Sequence, residues 1–454
     1  MANKIYSKKI FFLFLYLQIN FILSDSQIKL KYDDNGRPIS SVCLGSKNLC
    51  LSLRLDTDYI DTLVHSSASN KNIKNKYDAS LSKKSSTIKN DVEINYNSNK
   101  LKADLIKDSI EIDSLEIKKG QFYSIKEGDS EDLDKIEGIL GMGYPSNTEQ
   151  EKNSIMIQLF VNGFLDSKIW TVDLSDKKNG YIYPDKKIDS KNIGTDLDLI
   201  NNEEGHWLIK IKSILLGKNI KNDNNIEFDD DSQMKISTSE IKSSINLEIL
   251  KKIGDTYFKK LLDNSECKFD TKGKYSTYIC KNNNYDDLKS ISLIFNDYGI
   301  NIPKSNILIK NDKEYEFILS NYDGEENNVL GIDILKGKKI VFDCEKMKLG
   351  LYGDNIFDTT KKVDEEKSNE EDETIIPKED SEKEKDENSE NKEEIKTETK
   401  SSIKKYIIFI IVIFAVCFLF VLYRRYQKRK AKMKFPFKTY KESNYKAIQL
   451  VSDQ

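Results

Sequence analysis

The chain has 454 residues, which is long enough for two or more domains. Its formal net charge is −3, which argues against nucleic-acid binding through overall charge. The six cysteines include no Cys-x-x-Cys pair, and there are only two histidines. The sequence therefore predicts no metal site and no cofactor, and it excludes a typical zinc protein or nucleic-acid binder.

Both ends of the chain carry targeting signals. Residues 1–24 combine lysines with an apolar run and small residues, which predicts a cleaved signal peptide rather than a retained signal anchor. Residues 406–423 are eighteen uncharged residues and predict one transmembrane helix. The basic tail 424–454 follows at once and is expected on the cytoplasmic side. We therefore expect a single-pass type I membrane protein of the secretory pathway or plasma membrane, with a lumenal or extracellular ectodomain.

An acidic tract precedes the predicted span. Residues 361–400 contain 17 acidic and nine basic residues, a net charge of −8, and few large apolar residues. Such a composition buries too little apolar surface to offset the entropy of ordering. Residues 355–403 are therefore predicted to form a disordered stalk.

The remaining residues show the alternating pattern that is typical of an all-β protein. Short alternating segments recur, for example at 92–96, 109–112 and 291–295. Helical patterns are few and lie at 154–160 and 247–253. The length favours two β lobes, 27–190 and 200–354, over one core.

One alternating strand ends in a carboxylate. Leu51, Leu53 and Leu55 fall at period two, and Asp56 follows them. Taken alone, such an acid is most often an exposed turn residue. Two cysteine pairs are candidates for local disulfides in an oxidising compartment, namely Cys43 with Cys50 and Cys267 with Cys280.

Several motifs in order resemble the pepsin-like aspartic peptidases over roughly residues 40–352. Asp56-Thr57-Asp58 stands where that family has Asp-Thr-Gly, and Tyr96 falls near the flap tyrosine. The other matching segments are 77–87, 137–146 with its Gly-Ile-Leu-Gly core, and 329–351. The resemblance implies two β-rich lobes with a cleft that holds a peptide or protein ligand.

The resemblance also implies a chemistry, the hydrolysis of peptides by an activated water. Each lobe of the family offers one aspartate, and the two carboxylates share a proton, so one acts as base and the other as acid. Tyr96 would close over the ligand, while Thr57 and Thr238 would brace the lobes. Asp56 takes the first dyad position.

The sequence departs from this family at the second dyad position, which holds Ser237. A serine hydroxyl cannot share a proton as a carboxylate does, and no histidine or lysine motif suggests a base that would make it a nucleophile. The glycines after the two dyad positions are replaced by Asp58 and Ser239, and the tryptophan that supports the flap tyrosine is replaced by Leu63. We therefore expect a pseudo-protease that binds peptides or proteins.

Two alternatives stay open. Asp231-Ser232 lies six residues before Ser237 and offers another register, although two further acids precede Asp231. In that register the chain would be an active aspartic endopeptidase with Asp56 and Asp231 as an atypical dyad. A structural ectodomain or adhesin that does not use its cleft is the other alternative.

Overall fold

The structure is a computed structural model that describes residues 27–360, apart from 46–48, 185–187, 189–193, 218–224, 272–273, 284, 287, 312 and 323–327. The predicted signal peptide, transmembrane span and basic tail lie outside these residues, as does the tract from 361 onward. None of the helices in the described ranges is long and apolar enough to cross a membrane.

The first half of the described chain consists mainly of antiparallel strands. Its strands are Ile28–Tyr32, Pro38–Leu44, Leu49–Asp56, Leu63–His65, Ser86–Tyr96, Asn99–Ile112, Leu115–Glu127, Gly138–Gly141, Ile169–Asp173 and Gly180–Pro184. Its helices are Thr148–Asn153 and Ile155–Val161, with 3-10 turns at Ala79–Leu81 and Leu133–Lys135.

The second half is also built mainly of strands. They are Gly194–Ile200, Leu208–Lys210, Ser213–Leu216, Asn225–Glu227, Gln233–Ile236, Ser243–Ser244, Cys267–Asp270, Tyr275–Cys280, Ile291–Phe295, Tyr298–Ile302, Leu308–Asn311, Glu314–Phe317, Leu319–Tyr322, Asn328–Leu330, Lys338–Asp343, Lys348–Gly353 and Ile356–Asp358. The helices are Leu247–Thr256, Lys259–Asp263 and Ile332–Leu335, with a 3-10 turn at Lys304–Asn306. The mostly β character predicted from the sequence is confirmed.

Two of the alternating segments are parts of longer strands, whereas the segment 291–295 coincides with the strand Ile291–Phe295. The segments predicted at 92–96 and 109–112 belong to Ser86–Tyr96 and Asn99–Ile112, which form one long hairpin. The helix predicted at 154–160 is observed as Ile155–Val161, with Ser154 at its N-cap, and is preceded by a second helix. Asn147 starts that earlier helix by accepting hydrogen bonds from two of its backbone N–H groups.

A six-stranded antiparallel layer joins the two halves. Its strands follow the order Ile28–Tyr32, Gly180–Pro184, Ile169–Asp173, Lys338–Asp343, Lys348–Gly353 and Gly194–Ile200. Three buried aromatic side chains pack together beside it, with Trp207 lying 4.6 Å from Phe342 and 5.8 Å from Trp170 between ring centroids. Burial of rings this large is a major source of stability and fixes the layer in place.

Two parallel strand pairs occupy equivalent places in the two halves. Leu49–Asp56 pairs with Gly138–Gly141, and Gln233–Ile236 pairs with Asn328–Leu330. Leu55 faces Leu140 in the first pair, as Ile236 faces Leu330 in the second. The residue after each of these positions is Asp56 in the first half and Ser237 in the second.

The structure contains two disulfide bridges, Cys43–Cys50 and Cys267–Cys280. Each joins directly opposed residues of an antiparallel strand pair. Both pairings match the prediction from the sequence. Among the described residues, Cys344 is a free cysteine.

Candidate functional site

Asp56 is a buried carboxylate at the end of its strand, with only 1% of its surface exposed. Its Oδ1 accepts a hydrogen bond from the backbone N–H of Asp58 at 2.9 Å. Its Oδ2 accepts one from the hydroxyl of Tyr96, also at 2.9 Å. Both carboxylate oxygens of Asp56 thus accept hydrogen bonds from the protein itself.

A buried arginine stands next to this carboxylate. Arg54 is fully buried, and its Nη2 lies 3.9 Å from Asp56 Oδ2. The same nitrogen donates to the Tyr96 hydroxyl at 2.7 Å and to Asp132 Oδ2 at 3.3 Å. A buried charge is stable only when it is paired, and here Arg54 is paired with two carboxylates and bonded to the flap tyrosine.

Tyr96 lies at the tip of the hairpin and closes over Asp56. The turn after it places Asn97 and Ser98 at φ values of 45° and 63°. Two residues in the left-handed region are typical of a tight two-residue hairpin turn, which Asn tolerates well. The Tyr96 ring, 1% exposed, packs edge-on against Tyr59 with 5.3 Å between ring centroids. The flap is therefore held closed by both a hydrogen-bond network and an aromatic contact.

Ser237, which the sequence predicts to take the second dyad position, pairs with Asp58 and not with Asp56. The Ser237 hydroxyl donates to Asp58 Oδ2 at 2.8 Å, and the Ser239 hydroxyl donates to the same oxygen at 3.3 Å. Lys235 brings its ammonium to 3.4 Å from that oxygen. Lys235 lies on the strand Gln233–Ile236, and Ser237 and Ser239 lie in the bend that follows it, so all three side chains reach the same carboxylate oxygen of Asp58.

The two threonines bond across the halves beneath this cluster. The Thr57 hydroxyl donates to the Ile236 carbonyl at 2.9 Å and accepts from the Thr238 backbone N–H at 3.0 Å. The Thr238 hydroxyl donates to the Leu55 carbonyl at 3.0 Å. These buried bonds fix the Asp56 loop and the Ser237 loop against each other.

Burial and a like charge set the protonation of Asp56. Burial raises the pKa of its carboxyl, and the nearby charge of Asp58 raises it further. Arg54 and the hydrogen bonds from Asp58 and Tyr96 act in the opposite direction. Burial also raises the pKa of Tyr96 well above its usual range, so its hydroxyl remains a donor.

Asp231 lies apart from this cluster. It is exposed and sits before the strand Gln233–Ile236, six residues from Ser237. Six residues of extended chain span roughly 20 Å, which places the alternative acid at the far end of that strand. It lines a separate cavity of about 560 Å³ together with Glu227 and Glu248.

The two histidines have local partners. His65 is buried, with Nε2 at 3.0 Å from the Leu133 carbonyl. His206 lies closer to the site, with Nδ1 at 3.1 Å from the Asp58 carbonyl and Nε2 at 3.2 Å from a carboxylate oxygen of Glu204. Within the described ranges, no group of three or more His, Cys, Asp or Glu side chains is placed to hold a metal ion.

Sequence reasoning missed Arg54, Lys235 and Asp132. Arg54 alternates with Leu53 and Leu55, so the pattern predicts an exposed side chain there and gives no signal of its burial. Lys235 is a charge two residues before Ser237, and this spacing is a signal that could have pointed to it. Asp132 sits in a loop far along the chain, and only the fold brings it to Arg54.

A family comparison agrees with this architecture. The family model described as eukaryotic aspartyl protease matches residues 39–352. The chain therefore belongs to the eukaryotic aspartyl protease family and carries a pepsin-like domain. Among curated proteins, none matches the chain significantly.

Proposed function

We propose that this chain is a non-catalytic member of the eukaryotic aspartyl protease family that binds a peptide or protein segment in the cleft between two lobes. The observation that carries the proposal is the hydrogen bond from Ser237 to Asp58. The second half offers a hydroxyl and an ammonium at the position where the reaction needs a second carboxylate. Membership of the family implies a cleft between the two lobes. The side chains at the proposed dyad, Asp56 and Ser237, argue against hydrolysis there.

The argument rests on how a dyad works. Two carboxylates act as acid and base because they face each other without nearby cations and share one proton. Here each carboxylate has a cation of its own, since Asp56 lies beside Arg54 and Asp58 lies beside Lys235. The two carboxylates therefore contact different cations and do not face each other across the two halves as the members of a proton-sharing dyad do.

The restricted access of water to Asp56 also argues against catalysis. A general base needs a water within hydrogen-bond distance, about 2.6–3.2 Å. Both oxygens of Asp56 already accept hydrogen bonds, and the closed flap leaves the residue only 1% exposed. Opening the flap would have to break the Tyr96 bond to Asp56 before any water could be activated.

We further propose that the domain is the ectodomain of a single-pass type I membrane protein in the secretory pathway or at the plasma membrane. The two disulfides support an oxidising compartment, where such bridges persist. The signal peptide and the uncharged segment 406–423 support the orientation. Protease digestion of sealed vesicles tests it: the domain is expected to be protected, and degradation without detergent would refute this topology.

One observation favours a second candidate, an active peptidase with an atypical dyad. The charge of Asp58 raises the pKa of the Asp56 carboxyl, as one member of an acidic pair affects the other. In that case Asp58, rather than Asp231, would be the partner of Asp56. Asp58→Asn separates the candidates, because it would abolish cleavage by such a dyad and would leave a binding protein inactive as before.

The proposed binding is tested with a pool of peptides that carry a photo-crosslinking group, added to the full chain at mildly acidic pH. We expect intact peptides to be crosslinked to the flap tip, residues 96–99, and to the loops around Asp58 and Ser239. Ser80→Trp, a bulky change at an exposed site outside these loops, is the control and should leave the pattern unchanged. Crosslinks spread over other surfaces would refute the cleft as the binding site.

A further inference from the structure

A buried histidine holds the turn 130–136, which carries Asp132. His65 is 1% exposed, and its Nε2 donates to the Leu133 carbonyl at 3.0 Å. A carbonyl oxygen can only accept, so Nε2 carries the proton of a neutral imidazole and Nδ1 carries none. Among the described residues, no group forms a hydrogen bond with this Nδ1. A second proton there would be buried without an acceptor, so the site favours the uncharged ring.

The charges that face His65 give the same preference. Lys71 and Lys76 oppose a positive charge on the ring, while Asp134 is the facing acid. The Asp134 carboxylate already accepts a hydrogen bond from Lys71 Nζ at 2.7 Å. Burial has the largest effect and lowers the pKa of the imidazole.

The segments packed around this histidine carry further charged groups that are bonded elsewhere. These segments are the loop 71–77, the turn with its flanks at 129–137, and the strand Leu115–Glu127, which pairs with Leu63–His65. The bonded sets are Lys71 with Asp129, Lys135 with Glu131, Glu137 with Ser52 and Asn75, and Lys126 with Asp91 and Asp104. A protonated ring would therefore have to break one of these sets or move toward water.

The turn also carries the carboxylate that positions Arg54. Asp132 accepts a hydrogen bond from Arg54 Nη2 at 3.3 Å. The same nitrogen donates to the Tyr96 hydroxyl at 2.7 Å and lies 3.9 Å from Asp56 Oδ2. That oxygen of Asp56 accepts the hydrogen bond from Tyr96 at 2.9 Å, so the arginine and the tyrosine approach the same atom. Asp132 thus helps to keep the guanidinium away from the oxygen that holds the flap.

We propose that His65 is a pH-sensitive switch whose protonation in acid releases the turn 130–136 and thereby opens the flap. The charged ring moves toward water, and the turn that packs on it separates from the strand. Asp132 then leaves Arg54, and the guanidinium closes on Asp56 Oδ2 in place of the Tyr96 hydroxyl. The switch controls access to the cleft, and it does not depend on the proposed peptide binding.

The direction of the pH dependence follows from the lowered pKa of His65. The closed turn disfavours the second proton, so it is fully stable at neutral pH. Its stability is lost as the pH falls below about 6.5, where an exposed histidine takes up a proton. Acid therefore opens the flap, and neutral pH closes it.

Hydrogen exchange of the full chain at about pH 7.5 and pH 5, on either side of the histidine range, tests the proposal. Protection factors divide out the pH dependence of the intrinsic exchange rate. We expect the protection of residues 130–136 and of the flap tip, residues 94–101, to fall about tenfold or more in acid. In His65→Gln, whose amide can donate to the Leu133 carbonyl without titrating, this fall should largely disappear. His206→Gln removes the other histidine and is the matched control that should keep the fall.

The comparison stays informative if His65→Gln weakens the fold, because the ratio of protection at the two pH values is measured within each variant. Asp56 titrates in the unmodified chain and in the variant, so the difference between their ratios reports His65. NMR of labelled histidine in His206→Gln gives the pH at which His65 ionises, which should match the midpoint of the loss of protection. A fall that persists in His65→Gln, or ionisation of His65 with no loss of protection in the turn, would overturn the proposal.

Asp132→Ala tests the connection from the turn to the flap. Without this carboxylate the turn should still lose protection in acid, whereas the flap tip should be less protected already at neutral pH and should change little in acid. A flap tip that keeps the full acid response in this variant would overturn the proposed route through Asp132 and Arg54.

Discussion

The hydroxyl of Ser237 donates to the carboxylate of Asp58 at 2.8 Å, across the boundary between the two halves of the domain. In the proposed match to the family pattern, Ser237 stands at the place of an aspartate and Asp58 at the place of a glycine. In that match no acid of the second half faces Asp56, and Asp58 lies in the same loop as Asp56. The Lys235 ammonium lies 3.4 Å from the Asp58 carboxylate.

The Asp58–Lys235 contact should stabilise the fold. Both side chains are about nine-tenths buried, so Asp58→Ala leaves the Lys235 ammonium without this carboxylate. We expect a loss of about 3 kcal/mol in the free energy of unfolding, measured by denaturant titration. Asp58→Ala combined with Lys235→Met should recover most of it, since the double variant buries no unmatched charge.

A double-mutant cycle supplies the control for this pair. The coupling energy between positions 58 and 235 should exceed about 1 kcal/mol, as for residues in direct contact. Additive losses at the two positions would contradict the role of Lys235 as the counter-ion of Asp58.

Arg54 should hold the flap closed. It donates to the Tyr96 hydroxyl at 2.7 Å, and charge-assisted bonds of this kind are worth about 1.5–3 kcal/mol. In Arg54→Leu we expect hydrogen exchange of the flap tip, residues 94–101, to accelerate about tenfold or more. Arg37→Leu, which removes the other arginine that contacts Asp132, is the matched control and should spare the flap. Equal acceleration of hydrogen exchange in both variants would show a general loss of stability and would contradict a specific role of Arg54 at the flap.

Stability should fall between about pH 4 and pH 6 because of Asp333. Burial raises the pKa of this carboxyl from 3.8 to about 6, so the folded chain keeps its proton at a pH where the unfolded chain has lost it. The stability that this group contributes is fully present below pH 4 and is lost as the pH rises through 6. A shift of about two pKa units corresponds to a loss of about 3 kcal/mol, seen as a falling melting temperature.

Two substitutions check the assignment to Asp333. Asp333→Asn removes this titrating group and should reduce the loss, leaving the part due to Asp61, whose carboxyl pKa burial also raises to about 6. Ser243→Ala removes a hydroxyl that lowers the pKa of Asp333, so the loss should extend to higher pH. An unchanged profile in both variants would assign the pH dependence to other groups.

Each disulfide should stabilise the fold only moderately, because the loop that it closes is short. The bridged cysteines are 7 and 13 residues apart, and loops of this size predict about 2–3 kcal/mol per bridge. We expect Cys43→Ala with Cys50→Ala, and Cys267→Ala with Cys280→Ala, to lower the denaturation midpoint by similar amounts. A negligible change in either pair would show that the strand pairing alone holds that hairpin.

Regular sequence patterns predicted the class of fold because strands bury alternate residues. Leu51, Leu53 and Leu55 are all buried, as their spacing requires. The order of the motifs predicted the family, which the family match shows. The cysteine pairs were predictable because each is close in sequence and flanks a turn.

The partners within the site were not predictable because they are distant in sequence. Asp58 and Ser237 are 179 residues apart, and spacing alone carries no information on such a contact. Arg54 was overlooked because it alternates with the buried leucines and so falls on the face expected to be exposed. It is buried, and its charge is stabilised there by Asp56, Tyr96 and Asp132. These contacts decide the chemistry, so the fold was easier to predict than the activity.

The most direct test of the central claim is the rate of peptide cleavage at acidic pH by the unmodified chain and by a variant that restores the family pattern, Ser237→Asp with Asp58→Gly. A broad peptide pool, with Asp56→Ala as the blank, reports any hydrolysis. We predict no cleavage above that blank by the unmodified chain, and measurable cleavage only in the restored variant. Cleavage by the unmodified chain that Asp56→Ala abolishes would contradict the account.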